Sequence, residues 1–347
     1  MKRREFLAGL GFCCIADLAK AAPFQLDEGS ALMNPCKAGL PSTLRDHELV
    51  RAAWGGLDVS KVWDVHAHLL GDGKYGSGCW ISPKMQSVLY PHQFLQRKFF
   101  ENASCASEDD GGLDDSYLSR LGYLVDELPR GAGMFLFAFD HTHAEDGRKD
   151  LPRAAFHVPN GYALNIARRF PSRFRAVASV HPYRADALDT LAHAKREGAV
   201  AVKWLPSAMG IDPASPRCDA FYAALKEHQL PLITHAGKER AVKGAHQQHF
   251  GNPLRLRRAL DHGVTVIVAH CASMGEDRDL DRGPRGPHVD SFALLARLMD
   301  DQRYEKICSP ISPPLRKPIV LRRWKKSSNA ITGIRDYSMA QTSHCLG

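Results

Sequence analysis

The chain has 347 residues, 44% of them apolar and 24% charged, the balance of a soluble globular protein large enough for one big domain or two ordinary ones. No apolar run in it is long enough to span a bilayer. The net charge of +8 suggests nucleic acid until it is located: from Ile307 onward seven cations (Arg316, Lys317, Arg322, Arg323, Lys325, Lys326 and Arg335) face one acid, Asp336, so the basicity belongs to the tail. The expected partner of the main body is a small molecule rather than nucleic acid, with self-association left open.

The N-terminus, MKRREFLAGLGFCCIADLAKAAP, sets a positive stretch before an apolar one and closes on small residues, the layout of a secretory leader. Arg3-Arg4 with Phe6-Leu7 resembles a twin-arginine export signal. Residues 1–22 are therefore expected to direct export to the periplasm, the alternative being a short uncleaved helix on a cytoplasmic protein. Nine cysteines lie scattered without C-x-x-C spacing, so no disulfide framework is legible. Residues 23–60 read as an N-terminal arm.

From residue 61 a rhythm begins. Apolar runs, KVWDVHAH, GAGMFLFAFD, FRAVASVHP, GAVAVKWLP, LPLITHAG and VTVIVAHC, alternate with the helical patterns NGYALNIARRF, ADALDTLAHAKREG, PRCDAFYAALKEHQ and NPLRLRRALDHG. The runs are continuously apolar, as strands covered on both faces are. Several helical segments stop at glycine. Strand, helix, strand in repetition predicts an α/β fold with a parallel sheet, either doubly wound or closed into a (β/α)8 TIM-type barrel. The segment 72–130, with GDGKYGSG and EDDGGLDD, reads as loop-rich and able to fold over the carboxyl ends of the strands.

The chemistry collects at those ends. In VWDVHAHLLG, His66 and His68 are two apart and so share one face of a strand, side by side. Asp140, His141 and His143 follow the second strand, His181 the third, Lys203 the fourth, His235 the fifth and His270 the sixth. One such histidine is ordinary core. The same end of so many strands points instead to a barrel active site, and neutral imidazoles suit zinc or a similar divalent ion.

This ordered set, HxH on the first strand, Lys on the fourth, His on the fifth and His on the sixth, resembles the amidohydrolase superfamily, in particular its amidohydrolase-related branch, from about Val62 to Lys306. The resemblance implies a divalent metal, zinc foremost, as one or two ions held by His66, His68, His235 and His270. Lys203 is then either a carboxylated bridging ligand or a cation that orients substrate. It also implies catalytic roles for Lys203, His235 and His270. Asp140, His141, His143 and His181 fall to the surroundings of the metal or the substrate pocket, and His246 and His249 to the surface or a lid.

The family pattern closes with an aspartate in a Gly-Ser-Asp-x-Pro setting, which binds metal and accepts the proton of the attacking water. The printed chain has none. Read one frame over, however, MAQTSHCLG near the C-terminus permits G-S-D-F-P-L-P-G, and KICSPISPP permits N-L-F-A-D-I-S-A, a serviceable seventh strand. The expectation is a barrel domain over 61–306, incomplete in its last two strand–helix units, followed by a frameshifted tail over 307–347. Such a barrel cannot close, and edge strands stay unpaired.

Hydrolysis of an amide, lactone or ester is the leading reading, impaired in this chain by the lost aspartate. A metal-dependent decarboxylase of the same superfamily is second, disfavoured because none of these strands ends in an arginine to hold a carboxylate. An inactive truncated product is third. A nucleotide-binding sheet is disfavoured by the absence of G-x-G-x-x-G after the first strand.

Overall fold

The structure is a computed structural model that describes residues 39–304, apart from 109, 110, 243 and 246, together with Asn34, Cys36 and the strand residues 308 and 309. The expected leader over 1–22, the first part of the expected arm, His246 and almost all of the expected out-of-frame tail lie outside the described residues.

The apolar runs form one sheet: β1 Trp63–His68, β2 Gly133–Phe137, β3 Phe174–Ala178, β4 Ala201–Trp204, β5 Leu232–His235, β6 Val266–Ala269 and a two-residue β7, Cys308–Ser309. The strands lie side by side in sequence order, and every pairing is parallel. A doubly wound sheet reverses its order at a switch point. This one never does, so the order is that of a (β/α) barrel. The seventh place is taken at Cys308–Ser309, beside Val266 and Ile267.

The sheet also curls. Five inter-strand steps separate β1 from β6, about 24 Å across a flat sheet. Yet the rings of His66 on β1 and His270 just past β6 are 4.5 Å apart. Among the described residues no strand joins β7 back to β1.

Period-two alternation sorts each strand onto two faces. Leu136, Ala176, Val202, Leu232 and Val266 pack outward into the main core with the helices. Phe137, Val177, Ala201 and Ile233 form a separate cluster on the concave face. Lys203 alternates with Val202 and Trp204, and His235 with Thr234, so both share the concave face.

Helices α3 Asn160–Arg169, α4 Ala187–Arg196, α5 Asp219–Glu227 and α6 Arg257–Asp261 fall within the four helical patterns. Gly198 and Gly263, with φ of +98° and +75°, take the left-handed conformation after α4 and α6 that lets the chain turn back into the next strand. Trp204 of β4 is fully buried between Phe221 and Tyr222 of α5, at ring separations of 5.3 and 5.8 Å.

One expectation needs correction. The segment 72–130 is largely helical, holding α1 Pro91–Ser104 and α2 Leu113–Asp126. It does reach the carboxyl end of the sheet, because Trp80–Ile81 pairs with Phe156–His157 and Gln96 of α1 donates to the Ala241 carbonyl beyond β5. A further helix, α7 Ser291–Met299, precedes β7. Its N-cap Asp290 accepts from the Ala293 N–H, and it buries Leu294, Leu295 and Leu298.

No helix among the described residues is long and apolar enough to cross a membrane.

Candidate metal centre

His66 and His68 do share a face, despite a bulge between Asp64 and Ala67 that shifts the register of β1 against β2. Their Nε2 atoms are 3.2 Å apart. Phe137 of β2 forms the floor beneath both, at ring separations of 5.1 and 5.3 Å. The Lys203 Nζ stands 5.0 Å from the same ring, on a side chain only 1% exposed. The His270 ring completes an arc between His66, at 4.5 Å, and His235, at 5.9 Å. His66, His68, Lys203, His235 and His270, all marked out by the strand-end pattern, therefore face one another across the concave mouth of the sheet.

Burial first, and the Lys203 cation second, push these imidazoles below their ordinary range: His68 and His235 to about 3, His270 to about 4, and His66 strongly downward as well. At neutral pH all four are uncharged, the form in which imidazole ligates a metal. His270 opens a run of left-handed non-glycine residues, with φ of +54° at His270, +51° at Cys271 and +50° at Ala272. Each costs roughly 1–2 kcal/mol, and strain of this kind collects at functional sites.

The donors suit a divalent ion in type, and the first pair suits one in spacing. Two imidazole nitrogens at about 2.05 Å from one tetrahedral ion lie about 3.3 Å apart, close to the 3.2 Å between His66 and His68. The Nδ1 atom of His235 is buried without a hydrogen-bond partner. Among the described residues no three His, Cys, Asp or Glu side chains are already drawn tightly enough to enclose an ion.

The remaining polar residues divide. Asp140 is a tie: Oδ1 accepts from the His141 N–H at 2.8 Å, while Oδ2 accepts from the His181 N–H and the Arg184 guanidinium, each at 2.9 Å. His181 is fully buried. Its Nδ1 accepts from the Tyr183 N–H at 3.2 Å and its Nε2 donates to the Met209 carbonyl at 3.0 Å, which makes it a satisfied core histidine. His143 is bonded to the His141 carbonyl at 2.9 Å and packs on His181 at 4.7 Å. His141 stacks face to face on His157 at 4.0 Å with Trp80 edge-on. His249 is exposed, against Phe250.

Glu239 escaped the strand-end pattern. It is 8% exposed, and its Oε2 lies 3.4 Å from the His235 Nε2. Burial raises its pKa, opposed by the Val242 and Ala241 N–H groups and by Lys203. The His-x-x-x-Glu spacing of HAGKE was the one available signal. His157 and Trp80 were also missed, because the short ribbon that carries them has no length or period to mark it.

The family model described as Amidohydrolase matches residues 63–308, more than half of the chain. No curated protein matches. Among solved structures, an uncharacterised TIM-barrel protein from Bordetella bronchiseptica is similar at 15% identity, over 60% of this chain and 66% of that one, with a TM-score of 0.39. An amidohydrolase II is similar at 14% identity, over 61% and 67%, with a TM-score of 0.35. The apo IDCase of Metarhizium anisopliae is similar at 12%, over 61% and 65%, with a TM-score of 0.33. The chain thus spans about two thirds of the length of these structures, slightly less for the first and the third.

Proposed function

The chain belongs to the amidohydrolase family, and from that premise we propose that it is built as a metal-dependent hydrolase for the amide, lactone or ester bond of a small molecule. The observation that carries the reading is the gathering of His66, His68, His235, His270 and buried Lys203 at one mouth of the sheet, with two ring nitrogens 3.2 Å apart. The four histidines would hold the ion, zinc by the chemistry of neutral imidazole, with Lys203 either bridging a second ion when carboxylated or acting as a cation. The ion would supply Lewis acidity, which makes water nucleophilic near neutral pH and polarises a carbonyl.

The protein's own residues do the rest. Burial keeps the imidazole lone pairs unprotonated. Phe137 closes the floor against water, and an uncarboxylated Lys203 would offer positive charge to a carbonyl oxygen as it becomes an oxyanion. Asp140 binds the loop after β2 to the end of β3, so the rim around the mouth is held in place. Decarboxylation gains no support from Arg184, the arginine nearest in sequence to His181, because Asp140 and Asp186 occupy its guanidinium at 2.9 and 2.7 Å.

We further propose that residues 1–22 direct export and that the chain reads out of frame from about Lys306. Support for the frame reading comes from the end of the family match at residue 308 and from the Gly-Ser-Asp motif that the other frame permits. On this reading the chain lacks the proton acceptor of the family and turns over slowly.

The test is hydrolysis of a panel of lactones, esters and amides by this chain and by a frame-corrected version, each with and without a chelator. The corrected chain is expected to be faster and both to be chelator-sensitive. Equal turnover refutes the impairment, and chelator-insensitive turnover refutes the metal reading.

A further inference from the structure

We propose that Glu239 is a positioning residue of the metal centre: its carboxylate faces the His235 Nε2, favours the ring proton on that nitrogen and so leaves Nδ1 unprotonated and free to ligate. The inference rests on reading this mouth as a metal site, and nothing in the strand-end pattern assigns Glu239 a part in it.

Three observations converge. First, the carboxylate is held in place rather than free to swing. Its Oε1 accepts from the Ala241 and Val242 N–H groups at 2.6 and 2.8 Å. The Gln248 amide grips the Glu239 backbone from both sides, with Oε1 taking its N–H and Nε2 donating to its carbonyl, each at 2.9 Å. Second, the other oxygen, Oε2, has the His235 Nε2 in front of it at 3.4 Å, on a ring that is itself largely buried. Third, the far nitrogen of that ring, Nδ1, is buried without a partner.

These facts select one tautomer. An ionised carboxylate only accepts hydrogen bonds, so the nitrogen facing it gains by carrying the proton. With the proton on Nε2, the buried Nδ1 carries the free lone pair. The opposite tautomer sets a lone pair against the carboxylate and leaves a buried N–H with nothing to receive it, which is unfavourable at both ends. Metal-ligating histidines are oriented this way when a carboxylate holds the nitrogen that does not ligate.

The isosteric change Glu239→Gln separates positioning from shape. The two backbone N–H groups at the Oε1 position require an acceptor there, so the glutamine oxygen must occupy it. The amide nitrogen is then forced to the Oε2 position, where it donates toward His235 Nε2 and drives the ring proton to Nδ1. Packing and volume hardly change, while the ligand atom is blocked.

The experiment pairs nitrogen NMR of histidine-labelled, metal-free protein with cobalt(II) titration. The unsubstituted chain is expected to carry the His235 proton on Nε2. Glu239→Gln is expected to move it to Nδ1 and to weaken cobalt binding about 10- to 100-fold, with an unchanged thermal unfolding curve. A proton on Nδ1 in the unsubstituted chain, or unaltered cobalt affinity in a folded Glu239→Gln variant, overturns the proposal. If the variant fails to fold, the tautomer of the unsubstituted chain decides alone. An unsubstituted chain that binds no cobalt overturns the metal reading instead, and the tautomer measurement still settles whether Glu239 orients His235.

Discussion

Asp140→Asn removes one charge at almost constant volume from a side chain 2% exposed. The carboxylate accepts from two backbone N–H groups and from Arg184. An asparagine has one acceptor oxygen, so at least one of these donors meets an amide N–H. An orphaned buried donor costs about 1–3 kcal/mol, and breaking a buried ion pair by removing one partner costs about 3–5 kcal/mol. The larger figure is moderated because Arg184 keeps Asp186 at 2.7 Å. The expected loss is about 3 kcal/mol, a large part of the roughly 5–15 kcal/mol that holds a domain folded.

The pH dependence of this loss has a definite sign. Burial alone would raise the Asp140 pKa, but the Arg184 guanidinium and the His181 N–H outweigh it and hold the pKa below the usual carboxylate value. A depressed folded pKa contributes stability that is complete above the unfolded value of about 4 and fades as pH falls through the folded value. The gap between the parent chain and Asp140→Asn should therefore be widest near neutrality and narrow below about pH 4. Urea unfolding followed by tryptophan fluorescence at several pH values measures it. A gap under about 1 kcal/mol at neutral pH, below the range of a broken buried pair, would refute the reasoning, and so would one that widens on acidification.

Two more substitutions separate core from site. His181→Asn should cost about 2 kcal/mol by orphaning the Met209 and Tyr183 backbone partners and leave bound metal unchanged; a metal-depleted variant would move His181 into the centre. Trp204→Ala should lose about 3–5 kcal/mol, because the indole is fully buried and donates to the Val180 carbonyl at 2.9 Å. A loss under about 1 kcal/mol in urea unfolding would contradict its place between Phe221 and Tyr222.

The strands were legible because parallel strands buried on both faces must be apolar throughout, and the His-x-His pair because a two-residue step returns to the same face even across a bulge. The helices of 72–130 were hidden by the glycine and aspartate clusters that flank them. Helix α1 buries only Ala103 among its residues and exposes Leu95 and Phe99, so it has no clean apolar face to read. Helix α7 lies past the sixth apolar run, set off from it by the charged, glycine- and proline-bearing segment GEDRDLDRGPRGP. His181 carried the same strand-end signal as His235 but proved to be satisfied core. The carbonyl of Met209, 28 residues away, decides that, and no local pattern encodes it. Glu239 gains its position from a backbone fold beyond β5 that clamps it through Gln248, again outside any local period.

The central claim is that the imidazoles at this mouth bind one divalent ion together. Equilibrium zinc content, by elemental analysis after loading and desalting, tests it most directly in the parent chain and in His68→Ala. The account predicts zinc retained by the parent and largely lost from His68→Ala, with both folded. Retention of no zinc by a folded parent, or equal retention by the two, would contradict it.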